Sequence, residues 1–299
     1  MAKVAAPPSL NALLDLSCRV KVVDVGANPL EDVPPYLPML RNGHATVIGF
    51  EPNPEALQRL NAAKGAAELY FPYAVGDGSR RTINFCAAQS MTSLLKPNME
   101  LLSLLPWFAE WGRVVATAEI GTVRLDDVPE TDGMDMLKID IQGGELMVFE
   151  NAVDRLRGGL VVHTEVLFVA MYHDQPTYTD LDLCLRQLGY VLHRFEPLIS
   201  RTVGPLDVGR PYEGMGQLIW ADAIFVRDFM KLDRLTDGQL LRFAVILHDC
   251  YRSYDLMLLL LAEHDRRCGS RHGARYISWS DARAIRPQAR SRLTGNSPS

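Results

Sequence analysis

Apolar residues in this chain come in short runs about one strand long, separated by segments with helical spacing. Lys21–Val25 is nearly continuous and β-branched, which predicts a buried strand. Pro34–Gly43 can form only a short helix, with its prolines in the opening turn and glycine at its end. Thr46–Phe50 predicts a second strand. Asn53-Pro54 then predicts the start of a helix through Ala63, because asparagine accepts from the orphan N–H groups and proline is pre-set for the first helical position. Leu69–Val75 predicts a third strand that closes in Gly76-Asp77-Gly78-Ser79, and Thr82–Ala87 its hairpin return.

Asn98–Trp111 is apolar and aromatic, suited to core filling or to a lid. Met134–Ile141 and Gly159–Val166 predict two more buried strands, and Asp180–Leu188 an amphipathic helix ended by Gly189. Val191–Phe195 and Ala221–Val226 complete a sheet of about seven strands, and no internal repeat is evident. Beyond Arg227 the spacing is helical. Thr236 is placed to cap a helix through about Cys250, and a second helix follows over Tyr254–His264. Leu240, Leu241, Ala244, Ile246, Leu247 and Tyr251 recur at helical intervals. They predict a helical hairpin laid against the main domain or against a partner, such as a second copy of the chain. The resulting division is an N-terminal segment 1–20, a main domain 21–228, a helical extension 229–268 and an Arg-rich, disordered tail 269–299.

Composition narrows the class. A chain of 299 residues with 47% hydrophobic positions can bury one large core. The net charge of −5 argues against a general nucleic-acid binder. The charge is uneven: Arg266–Ser299 holds eight arginines against Asp281, a balance of +7, which leaves −12 on the rest. Such a tail is either solvated and disordered or a contact for nucleic acid, an anionic membrane or an acidic partner. The five cysteines show neither a CxxC nor zinc-like spacing, and the first residues lack a signal-length apolar core. Both features point to a reducing, cytoplasmic setting. The longest apolar run, Leu256–Ala262, falls well short of the about 20 residues that span a bilayer.

Candidate chemistry sits at two strand ends. Val22-Val23-Asp24-Val25-Gly26-Ala27-Asn28 runs from a strand into a glycine turn, and Ile48-Gly49-Phe50-Glu51-Pro52-Asn53 ends a second strand in a carboxylate. In an open parallel sheet such a pair lies side by side at the carboxyl ends of the strands, where a nucleoside binds. The turn is not G-x-G-x-x-G: Pro29-Leu30-Glu31-Asp32 occupies the third-glycine region. Without those glycines a pyrophosphate is poorly served, which favours S-adenosylmethionine over NAD. Glu51 can accept both ribose hydroxyls, although a carboxylate there is also favoured simply by the following helix dipole.

Asp135-Met136-Leu137-Lys138-Ile139-Asp140-Ile141-Gln142-Gly143-Gly144-Glu145 resembles the L-K-I-D-x-(E/Q)-G-x-E signature of FkbM-type methyltransferases. Val23–Asn28, Gly49–Pro52, Ala74–Asp77, Arg124–Asp127 and Glu165-Val166 resemble further family segments in order. The resemblance spans roughly Lys21 to Arg227. It implies a Rossmann-like class I S-adenosylmethionine-dependent methyltransferase, an α/β sheet with helices on both faces and an antiparallel last strand. It also implies O-methylation of a hydroxyl on a small molecule, sugar or glycan. Pro29 and the Pro34, Pro35 and Pro38 cluster depart from the family pattern, as does the extension past Arg227.

On that resemblance, Gly26 lets the amino-acid end of the cofactor approach the backbone while Asp24 and Asn28 orient it. Glu51, with Pro52 and Asn53, grips the ribose, and Val75 and Asp77 border the adenine. Asp140 is the first choice for orienting the cofactor amine or the acceptor, since a carboxylate that finishes a buried strand needs a partner. Glu165 ends the neighbouring strand, with His163 on its side of that strand. His173 is the candidate base, because imidazole titrates near neutrality. Glu145 either pairs with Lys138 or caps the next helix. Asp140 and Glu165 are too few ligands for a catalytic magnesium ion, so no metal is expected there. Two other classes remain open: a non-catalytic scaffold that keeps the fold, and a macromolecule methyltransferase using the basic tail.

Overall fold

The computed structural model describes residues 8–28, 33–210 and 212–282. In chain order its strands are β1 (Val20–Val25), β2 (Ala45–Phe50), β3 (Glu68–Phe71), β4 (Ala74–Val75), β5 (Arg80–Cys86), β6 (Val114–Val123), β7 (Met136–Ile139), β8 (Val161–Leu167), β9 (Tyr190–Ser200) and β10 (Leu218–Arg227). The helices are α1 (Leu10–Leu14), α2 (Leu37–Arg41), α3 (Pro54–Ala63), α4 (Met99–Leu102), α5 (Phe108–Trp111), α6 (Glu145–Glu150), α7 (Val153–Gly158), α8 (Tyr178–Gln187), α9 (Asp237–Asp249), α10 (Tyr254–Cys268) and α11 (His272–Ala282).

The main sheet has seven strands in the order β3-β2-β1-β7-β8-β10-β9. β1 pairs in parallel with β2 and β7, β2 with β3, and β7 with β8. β10, the last strand in sequence, is antiparallel to both β8 and β9. This is the Rossmann-like class I methyltransferase sheet, with helices on both faces.

Period-two alternation divides the core. Val20 and Val22 of β1 face a cluster with Met136, Val161 and Ile224, whereas Val23 and Val25 face another with Leu137, Ile139 and Val162. The first face is covered by α1 and by α9 to α11, through Leu240, Phe243, Leu247, Met257, Leu260 and Tyr276. The second is covered through Val148, Phe149 and Leu156 of α6 and α7 and Leu181 and Leu185 of α8. The helices of the C-terminal extension therefore form one of the two helical layers of the fold. Burying each large apolar side chain contributes about 1.5–3 kcal/mol, and the apolar stripe of α9 packs on this chain's own sheet.

Local signals place the helix starts. Asn53 Oδ1 accepts from the N–H groups of Glu55 and Ala56, and Thr236 and Gln239 form a reciprocal capping box at α9. Three expectations need correction. Leu69–Val75 is not one strand: Pro72 has no N–H for the ladder, so the chain leaves the main sheet after Phe71 and Ala74–Val75 pairs with β6. The segment at Thr82–Ala87 does not return on β3 but pairs antiparallel with β6. Sequence patterning missed β6, whose exposed Ala116, Thr117, Ala118 and Glu119 carry no buried apolar face. Finally, the chain past Gly269, expected to be disordered, is helical over His272–Ala282 and buries Tyr276; residues 283–299 lie outside the described residues. None of the described helices is long and apolar enough to cross a membrane.

Candidate functional site

β4, β5 and β6 form a small second sheet beside the carboxyl ends of β1, β2 and β7. Between the two sheets lies a cavity of about 230 Å³. Its floor is Val25, Gly26 and Asn28 from the end of β1, Glu51, Pro52 and Asn53 from the end of β2, and Asp140 from the end of β7. Ile83 and Phe85 of β5 and Ile120 of β6 make an apolar wall, and Val75, Tyr73 and the hydroxyls of Ser90, Thr92 and Ser93 line the remainder. Phe50, Phe71 and Tyr73 stack in a row toward this rim, with centroids 5.7 and 5.4 Å apart.

Gly26 is required twice over. Its φ of 78° is left-handed, and a Cβ there would lie only 2.1 Å from the Asp140 carbonyl oxygen. The turn is held by N–H donation from Gly26 and Ala27 to the Phe50 carbonyl and from Asp140 to the Val25 carbonyl. Backbone of β1, β2 and β7 thus meets at one point, packed too closely around Gly26 to admit a side chain there. Pro29, where the sequence departs from the family pattern, lies outside the described residues.

Glu51 is buried, with one carboxylate oxygen accepting from Asn53 N–H at 2.7 Å. Burial raises its pKa, an effect opposed by that hydrogen bond. The carboxylate is therefore half-desolvated and borders the cavity, the condition under which a ligand hydroxyl binds well. Asn53 spends its side chain on capping α3. The structure thus brings Gly26, Asn28, Glu51, Pro52, Asn53, Val75 and Asp140 to one cavity.

Asp24 and Asp77 are not brought there. Asp24 points to the other face of β1, where it accepts from the Tyr36 hydroxyl and lies 3.5 Å from Lys138 Nζ. Lys138 also donates to the Gly26 carbonyl at 3.3 Å, so Asp24 acts on the turn through its neighbour. Burial and the adjacent carboxylate hold the Tyr36 hydroxyl well above its usual pKa, keeping it a donor. Asp77 closes its own turn, bound by Ser79, Thr122 and Arg81. The hydrogen bonds from Arg81 and Ser79 hold its carboxyl well below the usual range.

Around Asp140 a polar network replaces the expected trio. Gln142 Nε2 donates to Asp140 Oδ1 at 2.8 Å and to Glu165 Oε2 at 3.1 Å. That N–H donor stands between the two carboxylates, where a bridging cation would have to sit. Gln142 itself has a left-handed φ of 57°. It is held by Ser93 Oγ donating to its carbonyl at 2.7 Å and by the buried Tyr172 hydroxyl 3.2 Å from Oε1. Tyr172 also lies 3.1 Å from the Met91 carbonyl, and its single proton serves one acceptor at a time. Glu165 does not line the cavity; Gln142 Nε2 bridges it to Asp140. His173 is exposed in its loop, where its N–H bonds the Lys96 carbonyl, and it does not line the cavity. His163 pairs with Tyr251 and Asp222. Glu145 caps the start of α6, its Oε1 accepting from Ile141 and Gly143 N–H at 2.9 and 3.3 Å. Burial pushes its carboxyl up to about 7.

Sequence reasoning passed over Ser93, Tyr172 and Tyr36. Only the L-K-I-D-x-Q block hinted at the network, because Gln142 is the residue those side chains hold.

The Methyltransferase FkbM domain matches residues 24–192. No curated protein matches the chain. Among solved structures, the chain is similar to an antibiotic-related methyltransferase at 13% identity, with 73% of this chain and 92% of the other covered and a TM-score of 0.31. It is also similar to a SAM-dependent methyltransferase from Aquifex aeolicus at 10% identity, covering 74% and 94%, with a TM-score of 0.29. A third is M. jannaschii TYW2 in complex with AdoMet, at 14% identity, 73% and 74% coverage and a TM-score of 0.31.

Proposed function

The chain belongs to the FkbM methyltransferase family, and from that premise we propose that it transfers a methyl group from S-adenosylmethionine to a hydroxyl oxygen of a small molecule, sugar or glycan. The observation that carries this reading is the convergence of Gly26, Glu51 and Asp140 on one cavity at the strand ends. Gly26 gives the backbone room for the amino-acid end of the cofactor, and Glu51 accepts from the ribose hydroxyls. The apolar surface of Val75 and Ile120 suits a nucleobase. The bound sulfonium supplies an already activated methyl group, so the chain's own work is alignment and proton handling.

Asp140 is the residue for the acceptor. Gln142 holds one of its oxygens, fixing the carboxylate at the rim, and Glu165 and Tyr172 fix Gln142 in turn. A carboxylate so held can orient the acceptor hydroxyl and accept its proton as the oxygen–methyl bond forms. His173 has no place in this scheme, because its side chain is not at the cavity.

Titration calorimetry with S-adenosylmethionine and its demethylated product tests the reading, followed by methyl transfer to a panel of hydroxylated acceptors. The expected results are binding by the wild-type chain, much weaker binding by Glu51→Ala, and retained binding with lost turnover for Asp140→Asn. Absence of cofactor binding overturns both enzyme readings. Binding without turnover on any acceptor class favours the scaffold alternative.

A further inference from the structure

Helix α10 ends at Gly269, whose left-handed φ of 69° turns the chain so that α11 starts beside the last turn of α10. The turn sets His264 and Asp265 of α10 against His272 of α11. One nitrogen or oxygen of ligand type from each lies within 4.8 Å of the other two, and the imidazole rings are 5.3 Å apart. We propose that His264, Asp265 and His272 form a binding site for a zinc-class divalent ion, separate from the methyl-transfer cavity.

Two imidazoles and a carboxylate are a donor set that suits zinc and its first-row neighbours. The set also has the supporting hydrogen bonds that metal ligands need. Asp265 Oδ1 accepts from Ser270 Oγ at 2.6 Å and from His272 N–H at 2.9 Å, and Oδ2 accepts from Gly273 N–H at 2.9 Å. Ser270 Oγ also lies 2.9 Å from His264 Nδ1, which orients that ring. These bonds anchor the carboxylate at the start of α11, and capping alone would account for Asp265 and Ser270. Capping does not account for the imidazoles. His264 is 7% exposed, and His272 Nδ1 is buried with no hydrogen-bond partner among the described residues. An orphaned ring nitrogen is costly in a protein interior, and a metal ion gives it a partner. Three protein ligands leave one tetrahedral position for water.

The site ties down an element that the fold uses. α11 buries Tyr276 in the core beneath α9 and α10, and Arg275 donates to the Leu14 carbonyl at 3.0 Å. A metal at the elbow therefore fastens the C-terminal layer and, through it, α1.

The test uses the full-length chain without a histidine tag, stripped with a chelator and reloaded with Zn²⁺, with bound metal counted by elemental analysis. Co²⁺ loading gives an independent visible spectrum. One equivalent of zinc is expected in the wild type, with a higher melting temperature than the stripped chain. His264→Ala and His272→Ala should lose that equivalent, and Ser270→Ala should weaken binding roughly 10-fold. His272→Gln, checked by circular dichroism, separates loss of ligand from loss of the helix. Failure of the wild type to retain zinc overturns the proposal, as does equal zinc in wild type and in both histidine variants. S-adenosylmethionine binding is measured separately, so neither reading stands or falls with the other.

Discussion

Lys138 lies directly across from Asp24 in the register of β7 on β1, with its ammonium 3.5 Å from the buried carboxylate and 3.3 Å from the Gly26 carbonyl. The two charges are not at the cavity. They fasten the strand end from which the glycine turn departs, and Tyr36 completes the set from beside α2. An acidic residue two positions before the glycine of the turn thus serves the site from behind.

Removing one partner strands a buried charge. Lys138→Met should destabilise the protein by about 3 kcal/mol, because the Asp24 carboxylate would keep its desolvation cost without its counter-charge. Adding Asp24→Asn should restore a large part of that loss. Chemical denaturation of the two single variants and the double variant measures the coupling; strictly additive losses would show that the pair does not act as a unit.

At the cavity, Glu51→Gln should weaken S-adenosylmethionine binding roughly 10–100-fold, corresponding to loss of charge-assisted hydrogen bonds. Its unfolding transition should change little, since an amide oxygen can still accept from Asn53 N–H. Unchanged calorimetric affinity would remove Glu51 from the ribose contact.

Gly26→Ala should cost both stability and cofactor binding. The new methyl would meet the Asp140 carbonyl oxygen at 2.1 Å, on a residue whose φ of 78° already disfavours a side chain. The measurement is thermal melting together with calorimetry, and near-wild-type values for both would contradict the packing described here.

Glu145 predicts a pH dependence. Burial raises its folded pKa from 4.5 to about 7, so between those values the folded chain holds a proton that the unfolded chain has released. The contribution of this group is full below about pH 4.5 and is lost as pH rises through about 7, by roughly 3 kcal/mol. Glu145→Gln should flatten that fall while keeping an acceptor for the Ile141 N–H. Stability measured at several pH values checks it, and an unchanged slope in the variant would exclude Glu145 as the source.

The basic tail is tested best by ending the chain after Ala282. A cut at Gly269 would remove Tyr276 from the core and the N-terminus of α11 from Asp265, confounding any change in activity. The chain ending at Ala282 should keep its stability and its activity on a free small-molecule acceptor. Loss confined to a nucleic-acid or other macromolecular acceptor would support the tail-dependent alternative.

Local chemistry marked most of the frame. Short apolar runs marked β1, β2, β7 and β8, Asn53-Pro54 marked the start of α3, and Thr236 the start of α9. Glu51 and Asp140 were legible because each ends an apolar run in a charge that the next element does not need. β6 was not legible, since its alanines, threonine and glutamate bear no pattern until β5 pairs with them. Pro72 stood in plain sight, but only the path of the sheet showed that it passes the chain from one sheet to the other.

The amino-acid sequence by itself determined the alternating α/β order, the glycine turn and the acidic strand ends, because these depend on backbone conformation and on nearest neighbours along the chain. The tertiary structure decided which acids reach the cavity. Asp24 and Asp77 sit in family-like motifs, as Glu51 does, yet strand direction turns Asp24 toward Lys138 and Tyr36, and the β4–β5 turn commits Asp77 to Arg81. The same holds for the C-terminal helices and the His264–Asp265–His272 cluster. Their apolar stripe fits the chain's own sheet or a partner equally well until packing chooses, because which face a residue presents is set by neighbours tens of residues away.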